Sequence, residues 1–473
     1  MRGNTLVLFT NTYSFVFPDK PTINHHWLTG IVFYVVQQLA GFGGLHVAHV
    51  LLLLVTFILF FIHIKNLSSW YVALLLCLPA ALLLGGRTEI RPESFGYFGI
   101  VLLSLIFNQT WKSQAINWRQ ALLLLITQVL WVNLHISFIF GIFLAAVYAG
   151  TALIFHRYSV FFYAPPVNKK LLQQYVALTV AFCCLSLLNP SGIAGALVPF
   201  QIFSDYGYPV VENQNLLFLQ QRYPQPSILL YMAMLLLTVC IAVANFMLKV
   251  VAKNSSLLQP QHWLLGFAGF VLGFLALRNI PLMVFFSFPL IAVLLHALLR
   301  KLRAHMEIEQ PQLTAQGIIL GLTLSLVLFV GTGKYNQSVS FNEVKIGVYE
   351  RESAVASAYL AAGSPEPIFN NYDIGSALIY WLYPSTKVFV DNRPEAYTAD
   401  FFQQTYIPMQ EQDSVWQEQL QQHNFQAILF GVNDITPWGQ TFLRARLKDP
   451  QWKTAYRDEF AILFVRAESS ALQ

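Results

Sequence analysis

Apolar residues in this chain come in long runs separated by short polar junctions, and the lengths of those runs set the first expectation. A helix crosses the roughly 30 Å hydrocarbon core of a bilayer with about 20 apolar residues. Runs near that length cover Leu45 to Ile64, Trp70 to Gly86, Ser94 to Phe107, Gln120 to Val132, Ile136 to Phe155, Leu171 to Leu188, Ile228 to Leu248, Trp263 to Leu277, Ile280 to Leu299 and Thr314 to Val330. They predict about ten transmembrane helices. The shortest, Ser94 to Phe107 and Gln120 to Val132, are flanked by Trp111, Trp118 and Trp131, which suit a membrane interface. Ahead of them Trp27 to Leu39 is apolar but too brief to cross, and reads as an interfacial helix. After Gly331 the pattern changes. Apolar stretches such as Lys387 to Asp391 and Ala427 to Gly431 read as buried strands, and Glu352 to Ala362 and Ser414 to His423 as helices between them. The expected fold is a mainly α polytopic membrane protein with a C-terminal α/β domain. Its parts are a loop with an interfacial helix (1–43), a multi-span domain (44–332) and the α/β domain (333–473).

Composition agrees with that reading: 56% of the 473 residues are hydrophobic and 11% charged, which excludes an ordinary soluble domain. The net charge of +5 carries no nucleic-acid reading, because lysine and arginine placement here reports orientation. Lys65, then Lys112 and Arg119, then Arg157, Lys169 and Lys170, then Lys249 and Lys253, then Arg300, Lys301 and Arg303 fall at every second junction. Those junctions are expected in the cytoplasm, with the chain ends and the C-terminal domain outside. Cys77, Cys183, Cys184 and Cys240 all lie in apolar runs, so neither a disulfide framework nor a zinc site is expected. Met1 to His26 lacks the apolar core of a cleavable leader and reads as a polar loop.

Candidate chemistry gathers at the outer junctions. Arg87, Glu89, Arg91 and Glu93 sit in one hairpin between apolar runs. They either pair internally as a clamp, or the arginines grip a phosphate while a carboxylate handles a proton. His25 and His26 precede the interfacial helix, with Asp19 and Glu89 as the nearest partners in sequence for a metal or an acid–base role. Asn133 and His135 end a span, as interhelical glue or as a cavity lining. Asp391, Arg393, Glu395 and Tyr397 follow an expected strand, either as ligand contacts or as an internal Asp–Arg pair.

Thr10 to Phe15, Ile23 to Leu28, Arg91-Pro-Glu93, Trp131 to His135, Asn189-Pro190 and Asp391 to Tyr397 together resemble a group of bacterial membrane proteins similar to GT-C-type glycosyltransferases. This is the superfamily of the oligosaccharyltransferases, protein O-mannosyltransferases and aminoarabinose transferases. The resemblance implies a GT-C-like enzyme of the bacterial inner membrane that moves a sugar from a polyprenyl-phosphate donor to a lipid, glycan or protein acceptor on the outer face. It implies Arg87 and Arg91 at the donor phosphate, with Asn133, His135, Asp391, Arg393 and Tyr397 in substrate binding. Glu89, Glu93, His25, His26 and Asp19 are then the acid–base candidates, and a divalent metal ion is admitted at the phosphate. The chain departs from the family at its start, where the first span and the usual acidic loop position are expected to be lacking. The alternative is a non-catalytic membrane scaffold or glycan-export partner with a ligand-binding outer domain. A transporter ranks behind both, because the polar residues gather at one face and not at the midplane.

Overall fold

The computed structural model describes residues 5–85, 89–158, 167–201, 206–222, 225–252, 259–306 and 351–467. The expected span Thr314 to Val330 and the expected phosphate ligand Arg87 lie outside them. The chain divides into two compact units, one of His25–Pro199 and Val210–Gly347, the other of Met1–Asn24, Phe200–Pro209 and Val348–Gln473.

The first unit is helical. Its elements are α1 (Trp27–Leu67), α2 (Trp70–Leu84), α3 (Glu93–Ser113), α4 (Trp118–Leu134), α5 (Ile139–Tyr158), α6 (Lys169–Leu185), α7 (Gly192–Gln201), α8 (Leu216–Arg222), α9 (Pro226–Ala252), α10 (Pro260–Leu275) and α11 (Ile280–Met306). Among the described residues four helices are long and apolar enough to cross a membrane: Trp27–Leu67, Ile136–Tyr158, Pro226–Leu248 and Leu277–Leu302. That is fewer than the ten read from the sequence. Among the described residues the apolar runs are present as helices, but several are short: the 15 residues of α2 rise only about 22 Å at 1.5 Å per residue. The stretch read as a separate interfacial helix and the span that follows it are two helices, grouped here as α1. The two parts meet at a kink where Gly41 has φ 65° and ψ −172°, a conformation open to glycine and closed to residues with a Cβ. Beyond the kink Val47, Val50, Leu51, Leu54, Val55 and Ile58 remain exposed, an apolar side of the kind that faces lipid.

The core is organised on α11, whose Met283, Val284, Phe286, Phe288 and Ile291 are buried. Against it α10 presents Gly266, Gly269 and Gly273. A Cβ on Gly269 would fall 2.4 Å from Ser287 Oγ and 2.8 Å from Phe286 Cβ, so only glycine lets the two backbones approach this closely. Ser287 Oγ then donates to the Gly266 carbonyl at 2.8 Å. On the other side of the unit α3 uses the same device: a Cβ on Gly99 would lie 2.7 Å from the Trp131 ring.

The second unit holds a four-stranded sheet of β1 (Ile368–Asn370), β2 (Ala427–Gly431), β3 (Trp452–Arg457) and β4 (Ala461–Arg466), in the order β1-β2-β4-β3. The β1–β2 pair is parallel and the other two pairs are antiparallel. Helices Arg351–Ala361, Gly375–Leu382, Asp413–His423 and Pro437–Arg446 belong to the same unit. The strand expected at Lys387 to Asp391 does not join the sheet. Val388, Phe389 and Val390 are buried, but their backbone is satisfied elsewhere. Val388 N–H donates to the Tyr13 carbonyl at 3.1 Å, Phe15 N–H to the Val388 carbonyl at 3.2 Å, and Phe389 N–H to Asn370 Oδ1 at 2.8 Å. The opening polar stretch therefore packs as part of the C-terminal unit, where the sequence reading placed it with the interfacial helix as a region of its own.

Replacing Gly269 by valine should push α10 off α11. We expect a loss of about 1–3 kcal/mol, the usual range for overpacking, in thermal unfolding of the detergent-purified protein, whereas Gly150→Ala, with open space at its Cβ, should be near neutral.

Candidate functional site

In the helical unit the sequence-named residues separate into two groups at one set of helix ends. The first is ionic. Arg91, just ahead of α3, directs one guanidinium nitrogen at both carboxylate oxygens of Glu212, 3.0 and 2.9 Å away, and lies 4.0 Å from Glu89. Arg91 is thus held mainly by an acid 121 positions along the chain, with Glu89 of its own hairpin at the edge of ion-pair distance. Glu89 is exposed and Glu93 opens α3, where a negative charge complements the helix dipole.

The second group is built on the α4–α5 turn. Asn133 makes three hydrogen bonds: its Oδ1 accepts from Trp27 Nε1 at 2.9 Å, and its Nδ2 donates to the carbonyls of Val129 (2.8 Å) and Leu188 (2.9 Å). It joins α1, α4 and the end of α6, with both amide hydrogens used and one lone pair of Oδ1 left. One turn away Trp131 Nε1 donates to Ser137 Oγ at 3.1 Å, and Ser137 Oγ lies 2.5 Å from His135 Nδ1, which also accepts Ser137 N–H at 3.2 Å. Two donors on Nδ1 leave the proton on Nε2, so His135 keeps a donor N–H at that nitrogen. The His26 ring stacks on His135 at 5.0 Å and 11°, and His25 abuts His26 at 3.9 Å.

Arg278, in the short turn Leu277–Asn279 before α11, joins this cluster. Burial, then the nearby charges of His25 and Arg278, push His135 down to about 3. Burial, then His25 and His135, likewise lower His26 well below the ordinary imidazole value. Three imidazoles and a guanidinium therefore share a region in which cationic forms repel one another, a setting that favours an anion. Sequence reading placed Arg278 on this face but assigned it no role, because nothing local links it to histidines more than 140 positions away.

The C-terminal residues form a lock. Arg393 Nε and Nη2 donate to the two oxygens of Asp391 at 2.8 and 2.7 Å, while Tyr397 Oη donates to Asp391 Oδ2 at 3.0 Å. Asp391 is fully buried. Arg393 Nη2 reaches Asn11 Oδ1 at 2.8 Å, its guanidinium lies 4.9 Å from the Tyr13 ring centroid, and Lys20 Nζ donates to the Glu395 carbonyl at 2.9 Å. Of the two readings open in the sequence, the geometry is that of the internal Asp–Arg pair, and it fastens the opening segment to this unit. Asp19 is exposed on that segment, in a different unit from the histidines.

Comparison with models of protein families and with curated proteins finds no match. Among the described residues no group of three or more His, Cys, Asp or Glu side chains gathers to hold a metal ion.

One further constellation escaped sequence reading. Beyond the carboxyl ends of the parallel pair β1 and β2 stand Tyr372, Asp373 and Asp434, with Tyr208 stacked on Tyr372 at 4.2 Å and Trp438 6.0 Å from Tyr208. Burial, then the Asp434 charge, push the Asp373 carboxyl up to about 6. Asp434 itself accepts from Asn371 Nδ2 and from Thr436 N–H, both at 2.9 Å. Strand ends of a parallel pair are where α/β sheets present their side chains to ligands. The parallel pairing that makes them neighbours was not legible locally.

Two outcomes follow from this geometry. Removing one partner of the lock, as in Asp391→Ala, should destabilise the C-terminal unit by about 3–5 kcal/mol, because it strands a largely buried guanidinium; thermal unfolding of the full-length protein reads it. The depressed His135 should also couple folding to pH. An unfolded imidazole near 6.5 binds protons that the folded one refuses until about 3. Its contribution to stability is complete above about pH 6.5 and is lost as pH falls toward 3, so the slope of melting temperature against pH in that window should flatten in His135→Gln.

Proposed function

We propose that the helical unit is a GT-C-like glycosyltransferase working on a polyprenyl-phosphate sugar, with the donor phosphate taken by Arg278 and the Nε2–H of His135. The observation that carries this reading is the His25, His26, His135 and Arg278 cluster: donors and positive potential at one end of apolar helices, with its most constrained member set in one tautomer by Trp131 and Ser137. An anionic leaving group would be stabilised there by groups already oriented before reaction. Arg91 has a different part in this reading. Its charge is engaged by Glu212, so it braces the loop that adjoins the Leu277–Asn279 turn instead of meeting the phosphate. Glu93 and Glu89 remain the carboxylates from which a base for the acceptor hydroxyl is drawn. The finer membrane architecture of about ten spans, the bacterial inner membrane and an extracytoplasmic C-terminal unit belong to this same proposal.

The alternative of a scaffold or glycan-export partner has its own support in the second unit. The Tyr208, Tyr372, Asp373 and Trp438 group lies at the strand ends, where a binding domain would carry a ligand.

Turnover of a panel of polyprenyl-phosphate sugars by the purified full-length protein separates the two. Arg278→Ala should lower kcat by about 10²–10³, the scale of losing one oriented charge-stabilising donor, with melting temperature unchanged. Arg91→Ala should cost no more than about 1 kcal/mol of stability, as expected of a partly exposed pair, and should reduce turnover less than Arg278→Ala. Donors that are neither bound nor consumed by the wild-type protein would sink the transferase reading and leave the scaffold.

A further inference from the structure

At the opposite ends of these helices a second polar group is enclosed among α1, α3 and α10. His63 stands one turn before the end of α1, Asn108 and Lys112 lie four residues apart on one face of α3, and His262 sits in the first turn of α10. His63, Asn108 and His262 are 3%, 3% and 4% exposed. His262 and Lys112 both lie within electrostatic reach of His63, and Lys112 within reach of His262. Lys112 donates to the Asn66 carbonyl at the close of α1, which fixes its ammonium at the mouth of the group.

Two of these side chains have nothing to bond to. Nδ1 of His63 and Nδ2 of Asn108 are buried without a hydrogen-bond partner among the described residues. A buried polar atom left unpaired costs about 1–3 kcal/mol, and two of them near an ammonium mark a place where a partner from outside the chain belongs. The character of that partner follows from what surrounds it. The group offers an amide N–H₂, an ammonium and two imidazoles, all of which donate to oxygen. Among the described residues from His25 to Met306 the acidic ones are Glu89, Glu93 and Glu212, all at the other set of junctions, so none of them serves these donors. The junctions on the Lys112 side instead collect the lysines and arginines, whose summed field draws anions to this end. A water would satisfy one donor and leave the charge; an oxyanion with several acceptor atoms serves both.

We propose that His63, Asn108, Lys112 and His262 form a binding site for a phosphate-bearing anion, distinct from the histidine–Arg278 cluster and independent of the glycosyl-transfer reading. Two sources share that chemistry, the headgroup of an anionic lipid and free inorganic phosphate. The full-length protein in phosphatidylcholine nanodiscs, with and without phosphatidic acid, tests the first by native mass spectrometry of retained lipid. Thermal stability in inorganic phosphate against chloride at equal ionic strength tests the second.

Wild type should retain phosphatidic acid or be stabilised by phosphate, and His262→Leu and Lys112→Met should weaken that binding by about tenfold or more, or about 1.4 kcal/mol. Asn108→Asp gives the deciding sign. If an anion sits here, the new carboxylate occupies its place, so retention of lipid or the phosphate effect disappears. Retention limited to the lipid identifies a headgroup site, and stabilisation by phosphate as well identifies a site open to the free ion. The idea is overturned if wild type shows neither effect. It is also overturned if Asn108→Asp, pairing with Lys112, raises stability in neutral lipid while phosphatidic acid retention stays at the wild-type level. Should Asn108→Asp fail to fold, Asn108→Leu, which removes the orphan donor without adding charge, should still lower retention.

Discussion

In a bundle this apolar, a polar group that leaves water has to find its partners within the chain, and that constraint decides where the helices can meet. Asn133 shows it most plainly. Each of its hydrogen bonds ends on a different element, an indole from α1, a carbonyl from its own helix and a carbonyl past the end of α6. The relay from Trp131 through Ser137 to His135 works in the same way: the indole N–H and the hydroxyl are satisfied only if the α4–α5 turn takes this shape. Gly96 and Gly99 of α3 give that turn room, since a Cβ at Gly96 would strike Ser137 Oγ at 2.2 Å. Satisfaction of a few polar groups thereby also orients the imidazole on which the functional reading depends.

The ionic pairs express the same logic at different burial. Arg91 and Glu212 are partly exposed, and their attraction is worth little in free energy, but it chooses which loop lies beside the hairpin. Asp391 and Arg393 are enclosed, and there the forked geometry with Tyr397 accounts for the carboxylate's charge. Because Arg393 also reaches Asn11, the pair ties the opening segment into the sheet-bearing unit. It also explains why Val388 to Val390, as apolar as any strand, leave the sheet: their hydrogen bonds go to Tyr13, Phe15 and Asn370.

The histidine–arginine cluster and the His63–His262 group stand at opposite ends of the helical unit, and they differ in how their polar atoms are served. At the first, hydrogen bonds within the chain set the tautomer of His135 and leave a donor at Nε2. At the second, polar atoms remain without a partner in the interior. A preorganised donor set suits charge that develops during a reaction, whereas unpaired polar atoms near a lysine suit charge that arrives with a resident ligand.

Some of this was written locally. Long apolar runs fix helices because a backbone away from water must bond to itself, and that much, with the sheet-bearing C-terminal region, was readable from residue order alone. The hairpin charges, the paired histidines and Asp391 with Arg393 were recognisable as polar groups needing a reason. Which reason applied was decided by contacts that no local pattern encodes: Glu212 for Arg91, Arg278 for His135, Asn11 for Arg393 and Asp434 for Asp373. An apolar stretch predicts a helix but not where a kink or a turn ends it, and that too is set by the fold. A sequence records which groups must be satisfied; only the tertiary fold brings together, across hundreds of positions, the groups that satisfy them.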